Sequence, residues 1–116
     1  MSQLEWPYKR IELTSWLQEI IHCSTDDFDI DEVIHFFFDD TDLYSDIETT
    51  VGKYIYTDEV HPIKKFLDNL SDLVTKLGDV GTDVFLSSPE WPVVARLASE
   101  AAKIIEENNQ SRSNFV

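Results

Sequence analysis

The stretch from Val60 to Leu77 constrains this chain most. Val60, Ile63, Leu67, Leu70, Val74 and Leu77 recur at alternating three- and four-residue steps. That spacing puts all six on one side of an α-helix. Phe66 and Leu73 widen the stripe, while Lys64, Lys65, Asp68, Asp72 and Lys76 face away. A stripe this wide suits the core of a small globular bundle better than a coiled-coil seam. Gly78 is placed to end the helix. Asp72 and Lys76 have the spacing of an i,i+4 ion pair.

The rest of the chain reads as further helices. Pro7 opens a first helix over about residues 8–23, with Leu13, Trp16, Leu17, Ile20 and Ile21 on its apolar face. Ile30, Val33, Ile34 and Phe37 predict a second, with Asp31 and Glu32 in its first turn. Ser45 and Glu48 form an S-x-x-E capping box for a third, burying Leu43, Ile47, Val51 and Tyr54, with Gly52 allowing a close helix approach. Val84, Phe85 and Leu86 are expected to tuck into the core as one turn. Ser88-Pro89 predicts the start of a last helix over 89–107, with Trp91, Val94, Ala98, Ala101 and Ile105 on its buried side. With three Gly and four Pro among 116 residues, a turn-rich β fold is excluded. The expectation is an all-α, compact bundle of four to five helices in a single domain over 1–108, with a flexible tail over 109–116.

Charge bounds the function. There are 9 Lys and Arg against 23 Asp and Glu, a net charge of −14. Such a chain repels nucleic-acid phosphates and anionic membranes. No leader is visible and no apolar run approaches a membrane span, so the setting expected is cytoplasmic. Cys23 stands alone and reads as a small core residue at a helix end. His22 and His35 sit beside apolar residues and read as partly buried. The span from Asp26 to Glu48 carries ten acidic residues and no Lys or Arg.

The densest cluster is Asp39-Asp40-Thr41-Asp42. Paired carboxylates can hold Mg²⁺ or Ca²⁺ through oxygen. A metal-dependent enzyme built on them needs a second set of carboxylates facing Asp39 and Asp40, and Glu59 and His61 are the groups to test. The same residues also end one helix and begin the next, as Asp and Thr commonly do. Asp27, Asp29 and Asp31 fit the first positions of a calcium loop, but Glu32 stands where Gly is needed and Phe38 where Glu is needed. No phosphate loop, nucleophile elbow or paired zinc ligands are present. No metal or cofactor is therefore assigned.

The segments F-F-D-D-T-D-L at 37–43 and S-P-E-W-P-V-V at 88–94, with Gly52 between them, carry a resemblance. The chain resembles a family of short uncharacterised bacterial proteins with an F-x-D-D-T-x-L segment and a P-x-W near the last helix. The resemblance implies one compact helical domain of bacterial origin, and carries no activity, cofactor or catalytic residue.

These observations favour a non-enzymatic protein-binding module with an accessory, inhibitor or immunity-like role, its partner a basic protein. The candidate contact residues are Asp39, Asp40, Asp42, Asp46 and Trp91. The three consecutive Phe at 36–38 exceed what one narrow helix face can bury, so they mark either an enclosed helix or an interface.

Overall fold

A computed structural model describes residues 4–22 and 28–113. Cys23 and most of the 24–29 link lie outside them. Five α-helices are present: α1 (Pro7–Ile21), α2 (Ile30–Ile34), α3 (Val60–Leu77), α4 (Thr82–Ser87) and α5 (Trp91–Ser113). Two 3₁₀ turns, Ile47–Thr50 and Thr57–Glu59, and a π-helical segment, His35–Asp40, complete the helical content. Among the described residues there is no strand, and one isolated bridge joins Val51 to Ile55. The fold is all-α.

The α3 stripe lies where its spacing puts it. Ile63, Phe66, Leu67, Leu70 and Leu73 are buried. Val60, Val74 and Leu77 pack half-buried against the same core. Pro62 falls in the first turn, where a missing N–H removes no helical bond. Gly78 ends the helix at a φ of 75°, a backbone region that side chains resist.

α5 is the shared partner, packing on α1 and on α3. Ala98, Ala101 and Ala102 are buried along it and let the neighbouring helices approach. It begins at Trp91 rather than Pro89, with the Ser88 hydroxyl accepting from the Glu90 N–H at 3.3 Å. It continues to Ser113, past the expected end at 107. Two asparagines tie that extension down: Asn108 Nδ2 donates to Glu59 Oε2 at 2.8 Å, and Asn109 Oδ1 accepts from Arg10 Nε at 2.8 Å. Lys76 bonds Glu90 on α5's leading turn instead of pairing with Asp72. The Lys76 ammonium, with help from Ser88, holds the Glu90 carboxyl down to about 2.

The expected third helix does not form. Ser45 and Glu48 are exposed, and Asp46, not Ser45, precedes a single 3₁₀ turn without a side-chain cap. Gly52 follows at a φ of 87° with open space around it, so it makes a turn rather than a close helix contact. This irregular stretch still buries Leu43, Ile47, Tyr54 and Ile55. Its carbonyls at Gly52 and Lys53 accept from the N–H groups of Glu5 and Trp6. In α4 only Phe85 is buried; Val84 faces solvent and Leu86 is half-buried.

A buried ion pair joins α1 to this stretch. Arg10 lies in register with Leu13, Leu17 and Ile20 on the buried face of α1. Its Nη1 and Nη2 donate to Glu59 Oε1 and Oε2 at 2.7 and 2.6 Å. The remaining donors reach Asn109, the Tyr54 carbonyl and the Ile105 carbonyl, the last two at 3.2 Å each. All five guanidinium N–H groups are thus engaged. The Tyr56 ring lies 4.8 Å from the guanidinium carbon. Glu59 also accepts from the Tyr56 N–H at 2.9 Å.

Two stability predictions follow from this packing. Arg10→Met or Glu59→Leu alone leaves a buried charge unpaired and is expected to cost about 3–5 kcal/mol in urea unfolding. The double variant should cost far less than the sum of the two; additive losses would show that the pair is not coupled. Leu70→Ala, at the centre of the α3 stripe, is expected to cost about 2–5 kcal/mol.

Candidate functional site

The acidic span is centred on the α2–π segment. Asp29 caps α2, its carboxylate accepting from the Asp31 N–H at 2.9 Å. The Thr82 hydroxyl accepts from the Ile30 N–H at 3.2 Å and docks α2 on α4. From His35 the helix widens into the π-helical segment, whose repeat is i→i+5. The widened turn distributes the three phenylalanines. Phe36 and Phe37 are buried, and Phe38 is half-buried edge-on to Tyr44 at 4.8 Å. An aromatic chain runs from Trp16 through Phe36 and Phe37 to Phe66, with centroid steps of 5.8, 5.0 and 5.3 Å.

The π turn also sets the carboxylates. Asp39 and Asp40 both reach the exposed His35, at 3.0 Å to Nδ1 and 3.2 Å to Nε2. Thr41 ends the segment in extended backbone and turns inward, its hydroxyl donating to the Phe37 carbonyl at 3.2 Å. Leu43 is buried beside it, while Asp42 is exposed. The alternation of exposed Asp with buried Phe37, Thr41 and Leu43 explains the F-x-D-D-T-x-L pattern as a helix terminus. Tyr54 packs against it. Burial and the nearby Asp42 carboxylate push the Tyr54 hydroxyl up to about 12, against hydrogen bonds from the Asp42 backbone and the Thr41 side chain.

The groups facing Asp39 and Asp40 are not the ones the metal-enzyme reading needs. They meet His35, whereas Glu59 is bound to Arg10 and His61 is exposed. Among the described residues no group of three or more His, Cys, Asp or Glu side chains is placed to hold a metal ion. His22 and His35 are exposed rather than partly buried.

Between α1 and the α2–π segment lies a cleft of about 610 Å³. Glu12 and Trp16 line it from α1; Asp31, Glu32, His35, Phe36 and Asp40 line it from the other side. Four carboxylates therefore surround an aromatic floor. Of the residues singled out in the sequence, Asp40 lines the cleft and Asp39 reaches it through His35. Asp42 and Asp46 are exposed on the following loop. Trp91 is only 5% exposed and stacks edge-on to Phe28 at 5.8 Å, so it belongs to the core. Glu12 and Trp16 were legible as an i,i+4 pair on α1, but nothing local ties them to the acidic span.

The chain belongs to the DUF7945 family, a domain of unknown function, whose model matches residues 5–113. No curated protein and no solved structure matches it. The matched range of the DUF7945 domain includes all five helices and the cleft. Among its described residues no helix is long and apolar enough to cross a membrane.

The Tyr54–Asp42 contact gives a pH test of the DUF7945 fold. Burial holds Tyr54 neutral, so its contribution to stability is complete below its usual value near 10. That contribution is lost as pH rises from there towards about 12. Tyrosinate absorbance should show one late-titrating group, and Asp42→Asn should bring it earlier. A titration unchanged by Asp42→Asn would count against the contact.

Proposed function

We propose that this domain is a non-enzymatic protein-binding module that engages a basic partner protein through the face formed by the α2–π segment. The observation that carries this reading is the exposed acidic charge of that segment and of the loop after it, which no Lys or Arg offsets. Asp29, Asp31, Glu32, Asp39, Asp40, Asp42, Asp46 and Glu48 are all exposed. Among the described residues, no Lys or Arg salt bridge reaches any of them; only His35 pairs with two. Exposed carboxylates this dense along one stretch, without Lys or Arg partners, create a field that steers an oppositely charged protein and repels phosphate. The cleft adds aromatic surface at which such a partner can be anchored.

The role that fits is accessory, inhibitory or immunity-like, with function residing in occupancy of a basic surface. The setting we propose is a bacterial cytoplasm, supported by the resemblance of the F-x-D-D-T-x-L and P-x-W segments and by the absence of a cysteine pair.

The test is affinity capture from the source organism at low and high salt, followed by kinetics with the protein recovered. A basic protein should be retained at low salt, and its association should slow as salt shortens the reach of the charges. Asp39→Lys with Asp46→Lys should slow association by about tenfold or more. Recovery of nucleic acid in place of protein, or association indifferent to both salt and charge reversal, would sink the reading.

A further inference from the structure

The cleft between α1 and the α2–π segment has a chemistry narrower than general attraction for basic protein. Its floor is aromatic: Trp16 and Phe36 lie 5.8 Å apart with their planes tilted by 34°. Phe36 is buried, while Trp16 is half-buried. Carboxylates stand on both walls, Glu12 on α1 and Asp31, Glu32 and Asp40 opposite, with no Lys or Arg among the lining residues. A second feature is independent of those carboxylates' number. The chain already places a cation at this edge: Lys9 Nζ lies 5.4 Å from the Phe36 centroid and 3.8 Å from Glu12 Oε1. Lys9 therefore covers the Phe36 side and pairs with Glu12, and Asp40 pairs with His35, so Trp16, Asp31 and Glu32 are the groups left to an incoming cation.

Resting on the reading of this face as the binding face for a basic protein, we propose that the cleft is an arginine pocket. It receives an exposed Arg side chain of the partner, the guanidinium laid on Trp16 and forked to the surrounding carboxylates. Charge complementarity selects a cation. The aromatic floor selects among cations. A guanidinium is flat, weakly hydrated and able to stack on an indole while donating two parallel N–H bonds to a carboxylate. An ammonium is a strongly hydrated point charge and loses more on entering an aromatic cleft. A volume of about 610 Å³ accommodates the side chain together with its flanking backbone. The carboxylates stand on opposite walls of this space and do not gather around one point, which fits a long organic cation.

The experiment uses the full chain and two fluorescein-labelled peptides of equal length and charge, oligo-arginine and oligo-lysine, followed by anisotropy. Oligo-arginine is expected to bind about five- to tenfold more tightly. Trp16→Leu should collapse that preference to near one and leave oligo-lysine binding within about twofold. Because Trp16 also packs on Phe36, a second variant at exposed positions guards against misfolding. Glu12→Gln with Glu32→Gln should weaken both peptides with the helical circular dichroism unchanged. Amide and indole NMR shifts on adding oligo-arginine should centre on Trp16, Glu32 and His35. Equal affinity for the two peptides overturns the arginine pocket; if the Gln variant still weakens both, the acidic-face reading stands. Binding of neither peptide overturns both readings. Shifts at the same residues on diluting the protein alone would assign the cleft to a second copy of this chain and overturn the proposal.

Discussion

The bidentate contact between Arg10 and Glu59 holds three separate parts of the chain in one arrangement. Arg10 comes from α1, Glu59 from the turn that leads into α3, and Asn108 and Asn109 from the far end of α5. Glu59 is 0% exposed and Arg10 6%. Charges buried this deeply are tolerated only when every donor and acceptor is matched, and here the guanidinium satisfies five bonds at once. The irregular stretch before α3 is closed by short-range turn hydrogen bonds, among them the Gly52 N–H to the Ile55 carbonyl and the Lys53 N–H to the Thr50 carbonyl. It is tied to α1 because its Tyr54 carbonyl and its Glu59 carboxylate both accept from Arg10. The same residues keep the last turns of α5 helical, where composition alone reads as a polar tail.

The π-helical segment solves a different problem. Three consecutive phenylalanines cannot share one narrow face of an α-helix. Widening the turn buries two of them and places the third against Tyr44, while the polar residues of the segment remain outside. His35 then lies within reach of both the fourth and the fifth following residue, so Asp39 and Asp40 converge on it. The same segment supplies His35, Phe36 and Asp40 to the lining of the cleft beside α1. Core packing and the charged face are two consequences of one local deviation from α-geometry.

Charge is distributed unevenly over this framework. Three of the nine basic residues take structural or shielding places: Arg10 is buried, Lys76 bridges to Glu90, and Lys9 lies along Phe36. The carboxylates between Asp29 and Glu48 are left facing water without a Lys or Arg partner among the described residues, and only Asp39 and Asp40 meet a histidine. A face of that kind destabilises itself by repulsion, a cost that a cationic partner removes.

The sequence by itself determined the helical class, the position and buried face of α3, the start of α1 and the acidic block. Each of these rests on local periodicity or composition, which a single segment carries in full. The S-x-x-E signal at Ser45 misled because a capping box marks a helix start only when an amphipathic run follows, and Gly52 in positive φ breaks that run. Tertiary structure alone decided that Arg10 is an internal residue, although its register with Leu13 and Leu17 was visible, since its partner lies 49 residues away. It alone decided that Trp91 stacks on Phe28 inside the core and that Glu12 and Trp16 face Asp31, Glu32 and Asp40 across one cleft. Burial of a charge and convergence of side chains depend on which helices pack together, and that choice is made by the whole core rather than by any one stretch of chain.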